Sequence, residues 1–374
     1  MIGRNRGTFY GAQILGSVLL ALSLLPSTTI SAEPLSIQME SFTPREVSIG
    51  KDSSCSIVFR LNQAADVRLK ILDWDGELVA ERSQAFGAGS QEFKWDTQFN
   101  RARTDGVYSF LLEASTQNGA KASYAPGFNS GLEQLQVANA HFDSTAGEIT
   151  YTMPQMGMIR TRISRDDFLL IRTLQDWTPR LAGKYTLKWD GKDQSGNPIN
   201  MADPRLVCRL MAYSLPENAF IITGVGKVKP PRSLKDQMIW RSDPILQKKF
   251  YHAGIPREQS HDAAVTLKFL DMSGAKELPE LPSIVETVKA RVRLSPQDEP
   301  ALTNERFEIC VYVDGTLWFE DEDGVSPFTF DLNPRGMNSG EHVLTVWVLS
   351  TADHMGVVSK HFKIASTGEL PTKK

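Results

Sequence analysis

Apolar and polar residues alternate with a period of two along much of the chain, which is the pattern of half-buried β-strands. Residues 67–71 read Val-Arg-Leu-Lys-Ile, and residues 288–294 place three cations on one face and four apolar side chains on the other. Turn formers such as Asn118-Gly119 separate the runs. Short strands with regularly spaced turns predict β-sandwiches rather than a parallel sheet covered by helices.

The alternation repeats itself at an interval of roughly 90 residues, which indicates a duplicated structural unit. Trp95 and Trp189, each followed by Asp, lie 94 residues apart, and the apolar sets within 57–61 and 149–153 lie 92 apart. The interval changes only between strands, which is how a fold accepts loop insertions while each strand keeps its buried face. The chain therefore predicts one small sandwich built twice.

Both copies carry parts of one sequence motif. The first copy holds its start and its end, namely Ile71, Asp73, Asp75, Gly76, Trp95, Asp96, Gly106, Val107, Tyr108 and Ala114. The second copy holds its middle, namely Trp189, Asp190, Gly191, Asp193, Gly196 and Pro198. Together these residues resemble the immunoglobulin-like (Ig-like) domain of flagellar hook-capping proteins. The resemblance implies Ig-like sandwiches but no flagellar role, because an export signal stands in place of the hook-cap assembly region.

A third sandwich follows, with strands predicted at 288–294, 307–313, 316–319, 328–332, 342–349 and 357–364. Its run around 311–315 and its strand at 340–346 resemble Ig-like modules of bacterial surface and carbohydrate-active proteins. In the proline-rich segment before it, residues 260–270 fit either a short helix capped by Ser260 or an extra strand. That segment either packs across the second and third sandwiches or serves as a binding loop.

The N-terminus has the features of a secretory signal. Arg4 and Arg6 precede an apolar run at 11–25, and small residues at 30–32 offer a cleavage site, although a retained anchor stays open. The chain thus divides into a signal peptide at 1–32, hook-cap-type Ig-like domains at 38–137 and 138–225, a connecting segment at 226–283, an Ig-like domain at 284–366 and a polar tail at 367–374.

Composition narrows the functional classes. The formal charge of −3 becomes −5 once Arg4 and Arg6 are removed, so we expect no general attraction to nucleic acid or anionic lipid. No later segment approaches the roughly 18 apolar residues of a membrane helix. We therefore expect an exported protein of the periplasm, the cell surface or the extracellular space, with no stable membrane span after signal cleavage.

The three cysteines fall one in each expected domain, and an odd count with that spacing predicts no internal disulfide. Cys55 and Cys208 share strand faces with apolar residues, so we interpret both as buried core thiols. Cys310 is out of phase with its neighbours, and we expect it to be accessible or to lie between packed faces.

Candidate chemistry is sparse. The run Glu320-Asp321-Glu322-Asp323 offers oxygen ligands for Ca²⁺, but such a run is more often a solvated hairpin tip. The histidines lack the spacing of a zinc site and are interpreted as structural or exposed. Motifs for a nucleophile elbow, a phosphate-binding loop or a redox cysteine pair are absent from the sequence, so we expect neither catalysis nor a cofactor.

Tryptophans near predicted loops and strand ends are the remaining lead. Trp74, Trp177, Trp240 and Trp318 could stack on sugar rings or anchor a protein partner, and partial core packing is the alternative for each. Our leading hypothesis is a non-catalytic exported scaffold or adhesion-type protein that binds or positions another envelope or extracellular protein. A carbohydrate-binding accessory module that takes a surface glycan is the second hypothesis, and an enzyme acting through residues 226–283 is the third.

Overall fold

The computed structural model describes residues 33–48, 54–74, 76–96, 104–126, 133–224, 261–351 and 354–365. From Leu35 onward these residues belong to one compact unit. They are almost entirely β-strand with one short helix, which confirms the predicted all-β class. The predicted signal peptide and polar tail lie outside the described residues.

The first sandwich packs a three-stranded sheet, β1-β3-β6, against a larger sheet in which β7, β4 and β5 are neighbours. Its strands in the first part of the chain are β1 (Ile37–Thr43), β2 (Glu46–Ser48), β3 (Cys55–Leu61), β4 (Ala65–Asp73), β5 (Leu78–Phe86), β6 (Gly89–Trp95), β7 (Gly106–Ser115) and β8 (Lys121–Tyr124). Alternate residues of β3 and β4 are buried, as their sequence alternation predicts, and they fill one apolar core.

The second sandwich repeats this arrangement with β10-β11-β14 in one sheet and β15-β12-β13 in the other, while β9 pairs with the outer side of β15. Its strands are β9 (Gln134–Leu135), β10 (Ala138–Asp143), β11 (Glu148–Met153), β12 (Gly157–Arg165), β13 (Leu170–Arg180), β14 (Gly183–Lys188) and β15 (Leu206–Ser214). Each strand from β10 to β15 has a counterpart in the first sandwich with the same partners. The duplication read from the sequence is therefore a duplication of topology.

One further strand, β16 (Ala219–Thr223), follows the second sandwich in the chain but lies in the first. It pairs antiparallel with β7 and parallel with β2, which completes the sheet order β2-β16-β7-β4-β5. Phe220 of this strand is fully buried, and its ring centroid lies 5.5 Å from Phe42, 5.8 Å from Trp95 and 5.9 Å from Tyr108. The second sandwich is thus inserted into the first, before its final strand.

The chain that returns from the second sandwich to the first is held by specific hydrogen bonds. The Asn218 side chain donates to the Phe110 carbonyl at 2.7 Å, and the Phe110 amide donates to the Asn218 carbonyl at 3.1 Å. Tyr124 donates to Glu217 at 2.7 Å, and the Arg45 guanidinium donates to two carbonyls of the same stretch at 2.9 and 3.1 Å. The bonds to carbonyl and amide groups give partners to backbone groups that would otherwise be left without a hydrogen bond where the chain crosses between two cores.

The third sandwich has the strand order of the first, with β17-β19-β22 in one sheet and β18-β24-β23-β20-β21 in the other. Its elements are β17 (Val265–Leu270), β18 (Ser283–Ile284), β19 (Val288–Leu294), α1 (Glu299–Glu305), β20 (Phe307–Val313), β21 (Thr316–Asp321), β22 (Phe328–Leu332), β23 (Gly340–Ser350) and β24 (Met355–Ile364). All six strands predicted for this region are present. Here the final strand, β24, follows β23 directly in the chain.

Three expectations need correction. Residues 138–225 were assigned to the second sandwich, but their last strand, β16, belongs to the first. Residues 261–283 were assigned to the connecting segment 226–283, but β17 and the start of β18 lie in the third sandwich, so of the two options for 260–270 the strand is observed. The helix α1 was not predicted, although Pro300 in its first turn is a common helix-start signal.

Candidate functional site

All nine residues of β12 are buried, which is unusual for a strand that contains three arginines. Thr161 and Ile163 face the core of the second sandwich, where the Thr161 hydroxyl donates to Gln175 at 2.9 Å. Successive side chains of a strand point to opposite faces, so Arg160 and Arg162 lie on the other face. That face is covered by residues from the first and third sandwiches, and it forms the junction described below.

Arg160 lies at the side of the junction nearest the first sandwich. Its Nε donates to Asp176 at 2.9 Å, and its guanidinium lies 4.3 Å from the centroid of the Trp177 ring. Trp177 has a φ of +43°, in a strand pair with three register irregularities. Such bulges re-aim side chains, and here the indole is directed onto Arg160 and Tyr213. Trp177, Tyr213 and Val107 share an apolar cluster that joins the first two sandwiches.

Arg162 crosses to the third sandwich, where it forms a partly buried ion pair with Asp262. The backbone amide of Asp262 donates to Asp176 at 2.8 Å, so Asp176 receives hydrogen bonds from both sides of the junction. Burial raises the pKa of Asp176, although the charge of Arg160 opposes that shift. The second and third sandwiches are therefore joined by two arginines and two carboxylates.

These arginines and carboxylates form a charged layer, which His261 extends into the third sandwich. Its Nε2 lies 2.8 Å from Asp298, which also accepts from the Ala264 amide at 2.8 Å and from the Ser295 hydroxyl at 2.7 Å. The hydrogen bond with Asp298 raises the pKa of His261. Burial would raise the pKa of Asp298, but its hydrogen bonds outweigh that effect and lower it.

A second histidine lies against the first. The ring centroids of His261 and His354 are 5.5 Å apart at an interplanar angle of 82°. His354 contacts Glu305, the last residue of α1, with 2.6 Å between Nδ1 and Oε2, and the Ser350 hydroxyl donates to the same oxygen at 3.0 Å. The helix that the sequence did not predict thus supplies one of the carboxylates of this layer.

The carboxylates of this charged layer all have partners. Each of its four carboxylates, Asp176, Asp262, Asp298 and Glu305, is already bonded to a cation, a histidine or an amide. Within the described ranges, no group of three or more His, Cys, Asp or Glu residues is placed to hold a metal ion.

Apolar contacts complete the junction of the second and third sandwiches. Cys310, Tyr312, Trp347 and Val357 of the third sandwich are buried in the same cluster as the core of the second. Around this cluster Arg165 donates to the carbonyl of Gly315, and the Ser359 amide donates to Ser195 at 2.8 Å. Burial raises the pKa of the Cys310 thiol to about 11, as expected for a cysteine packed between two faces.

One edge of the third sandwich is formed by β21 and β22. Each of these two strands pairs with a single neighbour among the described residues. Trp318, Phe319, Phe328 and Phe330 contact one another between these strands, and we call this aromatic cluster the open seam. Leu317, Trp318 and Val325 are 49%, 40% and 57% exposed, and Phe319 lies 5.1 Å from Phe330.

The predicted site residues fall in different places. Trp177 is buried in the junction, Trp74 is half-buried against the same apolar cluster, and Trp318 is exposed in the open seam. Trp240 lies outside the described residues. The acidic run Glu320-Asp321-Glu322-Asp323 begins in β21 and continues beyond it, and Asp323 pairs with Arg306 at 2.6 Å.

The charged layer was missed by sequence reasoning. Arg160 and Arg162 lie two apart in a strand, a pattern typical of a solvated strand face, and the histidines have no regular spacing. The three cysteines are free, as predicted; Cys55 is buried, Cys208 is half-buried, and Cys310 lies between packed faces.

Neither a known protein family nor a curated protein sequence matches the chain. Similar solved structures include one on host cell surface retention of a 1.5-MDa bacterial ice-binding adhesin, with 10% identity over 89% of this chain and 99% of that chain and a TM-score of 0.19. Another is a tetra-tandem repeat in the extending region of a large adhesion protein, with 12% identity over 89% and 74% and a TM-score of 0.21.

An endo-β-1,4-mannanase from Thermotoga petrophila is also similar, with 18% identity over 41% of this chain and 28% of that chain and a TM-score of 0.20. At such TM-scores these likenesses carry no argument about function. Among the described residues, no helix has the length and apolar character needed to cross a membrane.

Proposed function

We propose that this protein is a non-catalytic scaffold of the bacterial envelope or cell surface, which holds its three sandwiches as one body and positions a partner protein. The observation that carries this proposal is the interlock of the sandwiches. The second is inserted before β16 of the first, and the Arg162–Asp262 pair joins it to the third. Tandem domains on flexible linkers need no such contacts, whereas a scaffold that fixes the distance or the angle between its domains needs them.

A carbohydrate-binding module has less support. Sugar platforms need flat, coplanar exposed rings, and Trp318 is the one tryptophan of the described residues that is exposed. Its nearest aromatic neighbours, Phe319 and Phe330, are inclined to it by 63° and 74°. The rings of the open seam therefore do not form a flat surface, and such a surface favours a protein partner over a sugar ring.

The proposal is tested by affinity purification of the C-terminally tagged chain from the native envelope, followed by mass spectrometry. We expect one envelope or extracellular protein in fixed stoichiometry, together with a mature N-terminus near Glu33 that shows export. A chain with Asp262→Asn, which weakens the junction, is expected to retain less of that protein. Turnover of a polysaccharide or peptide by the purified chain, or recovery of the intact chain from the cytoplasm, would contradict the proposal.

A further inference from the structure

The sheet β17-β19-β22 of the third sandwich carries cations on its outer face. Lys289, Arg291 and Arg293 of β19 alternate with residues that are buried in the core, so they lie on the face directed away from that core. Lys268 of β17 lies on the same face, because the strand register places it opposite Arg291. We call the surface formed by these four residues the cationic face.

Carboxylates balance only one end of the cationic face. Asp331 of β22 lies opposite Lys289 and pairs with it at 3.0 Å. Glu277, on the other side of β17, lies in the same row across the sheet and pairs with Lys268 at 2.6 Å. Asp271, at this end of β17, accepts hydrogen bonds within its own turn. The positive charge is therefore in excess at the other end, where the two arginines lie.

The two arginines have no carboxylate partner among the described residues. Arg291 donates to the Thr329 hydroxyl at 3.2 Å and to the Gly274 carbonyl at 3.4 Å, which hold its guanidinium without neutralising it. Arg293 is exposed, and its side chain bonds no described residue. Lys268 lies directly opposite Arg291, and like charges in a cross-strand pair are destabilising. An arrangement that lowers the stability of the fold is typical of a functional site.

The equivalent faces of the other two sandwiches are balanced in charge. On the first, the cations belong to two ion pairs, Arg60–Glu40 at 2.8 Å and Lys94–Glu92 at 3.6 Å. On the second, the described strands hold as many carboxylates as lysines, namely Asp143, Glu148, Lys184 and Lys188. Because the three faces share one strand arrangement, the excess of cations belongs to the side chains of the third sandwich and not to the fold.

The spacing of the cations indicates the shape of the ligand. Alternate residues of a strand lie about 6.5 Å apart, so β19 presents its three cations at that interval in one row. An extended peptide with Asp or Glu at every second position presents carboxylates at the same interval. Guanidinium groups donate paired hydrogen bonds to carboxylates, and clusters of arginine recognise acidic motifs.

We infer that the cationic face is the docking site for an extended acidic segment of the partner protein, with Asp or Glu at alternate positions. Successive carboxylates of the segment pair with Arg291 and Arg293. This inference rests on the proposed scaffold function and names the chemistry of the partner that the scaffold positions. Because the ion pairs form at the protein surface, binding is reversible and sensitive to salt.

Fluorescence anisotropy with labelled ten-residue peptides and the full chain tests the inference. One peptide alternates Glu and Ser, a second alternates Gln and Ser, and a third holds its five Glu in one block. At low ionic strength we expect the alternating Glu peptide to bind about tenfold more tightly than the Gln peptide and about threefold more tightly than the block peptide. This preference should weaken as salt rises.

Equal binding of the Glu and Gln peptides would overturn the inference. Equal binding of the alternating and block peptides would overturn the extended register of the segment.

Two arginine variants locate the site. Arg291→Gln with Arg293→Gln is expected to abolish the preference for Glu over Gln, whereas Lys184→Gln with Lys188→Gln removes as many charges from the equivalent face of the second sandwich and leaves it unchanged. Arg293→Gln alone keeps the hydrogen bonds of Arg291 and should reduce the preference about threefold. Thermal unfolding shows that each variant is still folded, and an undiminished preference in both arginine variants would refute the site.

Anionic glycans and membranes are the other occupants that the test distinguishes. A ten-residue oligogalacturonate and vesicles that contain phosphatidylglycerol take the place of the peptide in the same measurement. We expect both to bind more weakly than the alternating Glu peptide. Tighter binding of either, lost in the double arginine variant, would assign the face to a glycan or a membrane and overturn the acidic segment.

The site and the scaffold function fail separately. If the native partner co-purifies with the double arginine variant as well as with the unaltered chain, the scaffold function stands and the partner docks elsewhere. If no partner is recovered with the unaltered chain while the Glu peptide binds, the scaffold function is refuted and the acidic specificity of the face is not.

Discussion

The first and third sandwiches share one strand order but are closed by different parts of the chain. In the third, β24 follows β23 and completes the sheet locally; in the first, the equivalent strand β16 arrives only after the whole second sandwich. Phe220 of β16 and Phe362 of β24 are both fully buried in their cores. The third sandwich is thus completed by a strand that is adjacent in the chain, and the first by a strand that follows an inserted sandwich.

This difference shows how separate folding units become one body. A locally closed sandwich can fold by itself, whereas the first sandwich stays incomplete until the second has been traversed, which raises the loop-closure entropy of its last strand. We therefore expect the first two sandwiches to unfold together and the third to be coupled to them through the junction alone.

Replacing Ala219–Thr223 with glycine and serine is the strongest test of this difference. We expect the amides of β4 and β7 to lose most of their hydrogen-exchange protection, while those of β20 and β23 keep theirs. The same replacement in residues 121–123, which also pair with β7 and leave Tyr124 in place, is the control and should have a small effect. Full protection of β4 in the first variant would show that the first sandwich is closed without β16.

Phe220→Ala narrows the comparison to one side chain. Removal of a ring that contacts three other aromatic rings is expected to destabilise the first sandwich by about 3–5 kcal/mol. Phe362→Ala should cost a similar amount in the third sandwich and leave the first unaffected. Urea unfolding, followed by hydrogen exchange of the amides in β7 and β23, distinguishes loss of the first sandwich from loss of the third. Unfolding of the third sandwich by Phe220→Ala would contradict the expected independence of its closure.

Arg162→Ala tests the coupling between the second and third sandwiches. Because it leaves the half-buried Asp262 without its cation, we expect a loss of about 2 kcal/mol and separation of one cooperative transition into two. Arg209→Ala is the control, because this exposed arginine of the neighbouring strand bonds Ser164 rather than a carboxylate. A single unchanged calorimetric transition would show that the apolar contacts alone hold the junction.

The smallest expected effect is the pH dependence of the third sandwich. The pKa of His261 is raised above 6.5, so its contribution to stability is complete below pH 6.5 and is lost as the pH rises through the folded value. The pKa of Asp298 is lowered below 3.8, so its contribution is complete above pH 3.8 and is lost on acidification.

We therefore expect the stability of the third sandwich to be greatest in mildly acidic solution and to fall by roughly 1 kcal/mol toward pH 9. Chemical unfolding at several pH values, with β20 and β23 as reporters, measures this change. His261→Gln should flatten the alkaline side of the profile. A wild-type profile without an alkaline decline would contradict the role given to the His261–Asp298 pair.

Much of the architecture was readable from the sequence because each strand carries its own signal. Strands β19, β20 and β22 have the predicted bounds, since period-two alternation and turn residues are local properties. Trp318 was likewise recognisable as a candidate contact, because it lies near the end of a predicted strand. Sequence could not rank it above Trp177, which differs only in what covers it.

By itself the sequence determined the class of fold, the duplication and the free state of its cysteines, because these follow from local alternation, turn chemistry and count. The tertiary structure alone decided that β16 closes the first sandwich, that Arg160 and Arg162 are buried, and that the seam beside Trp318 is open. Strand pairing and burial depend on residues distant in the chain, and an arginine on a strand face has the same pattern whether water or Asp262 lies against it.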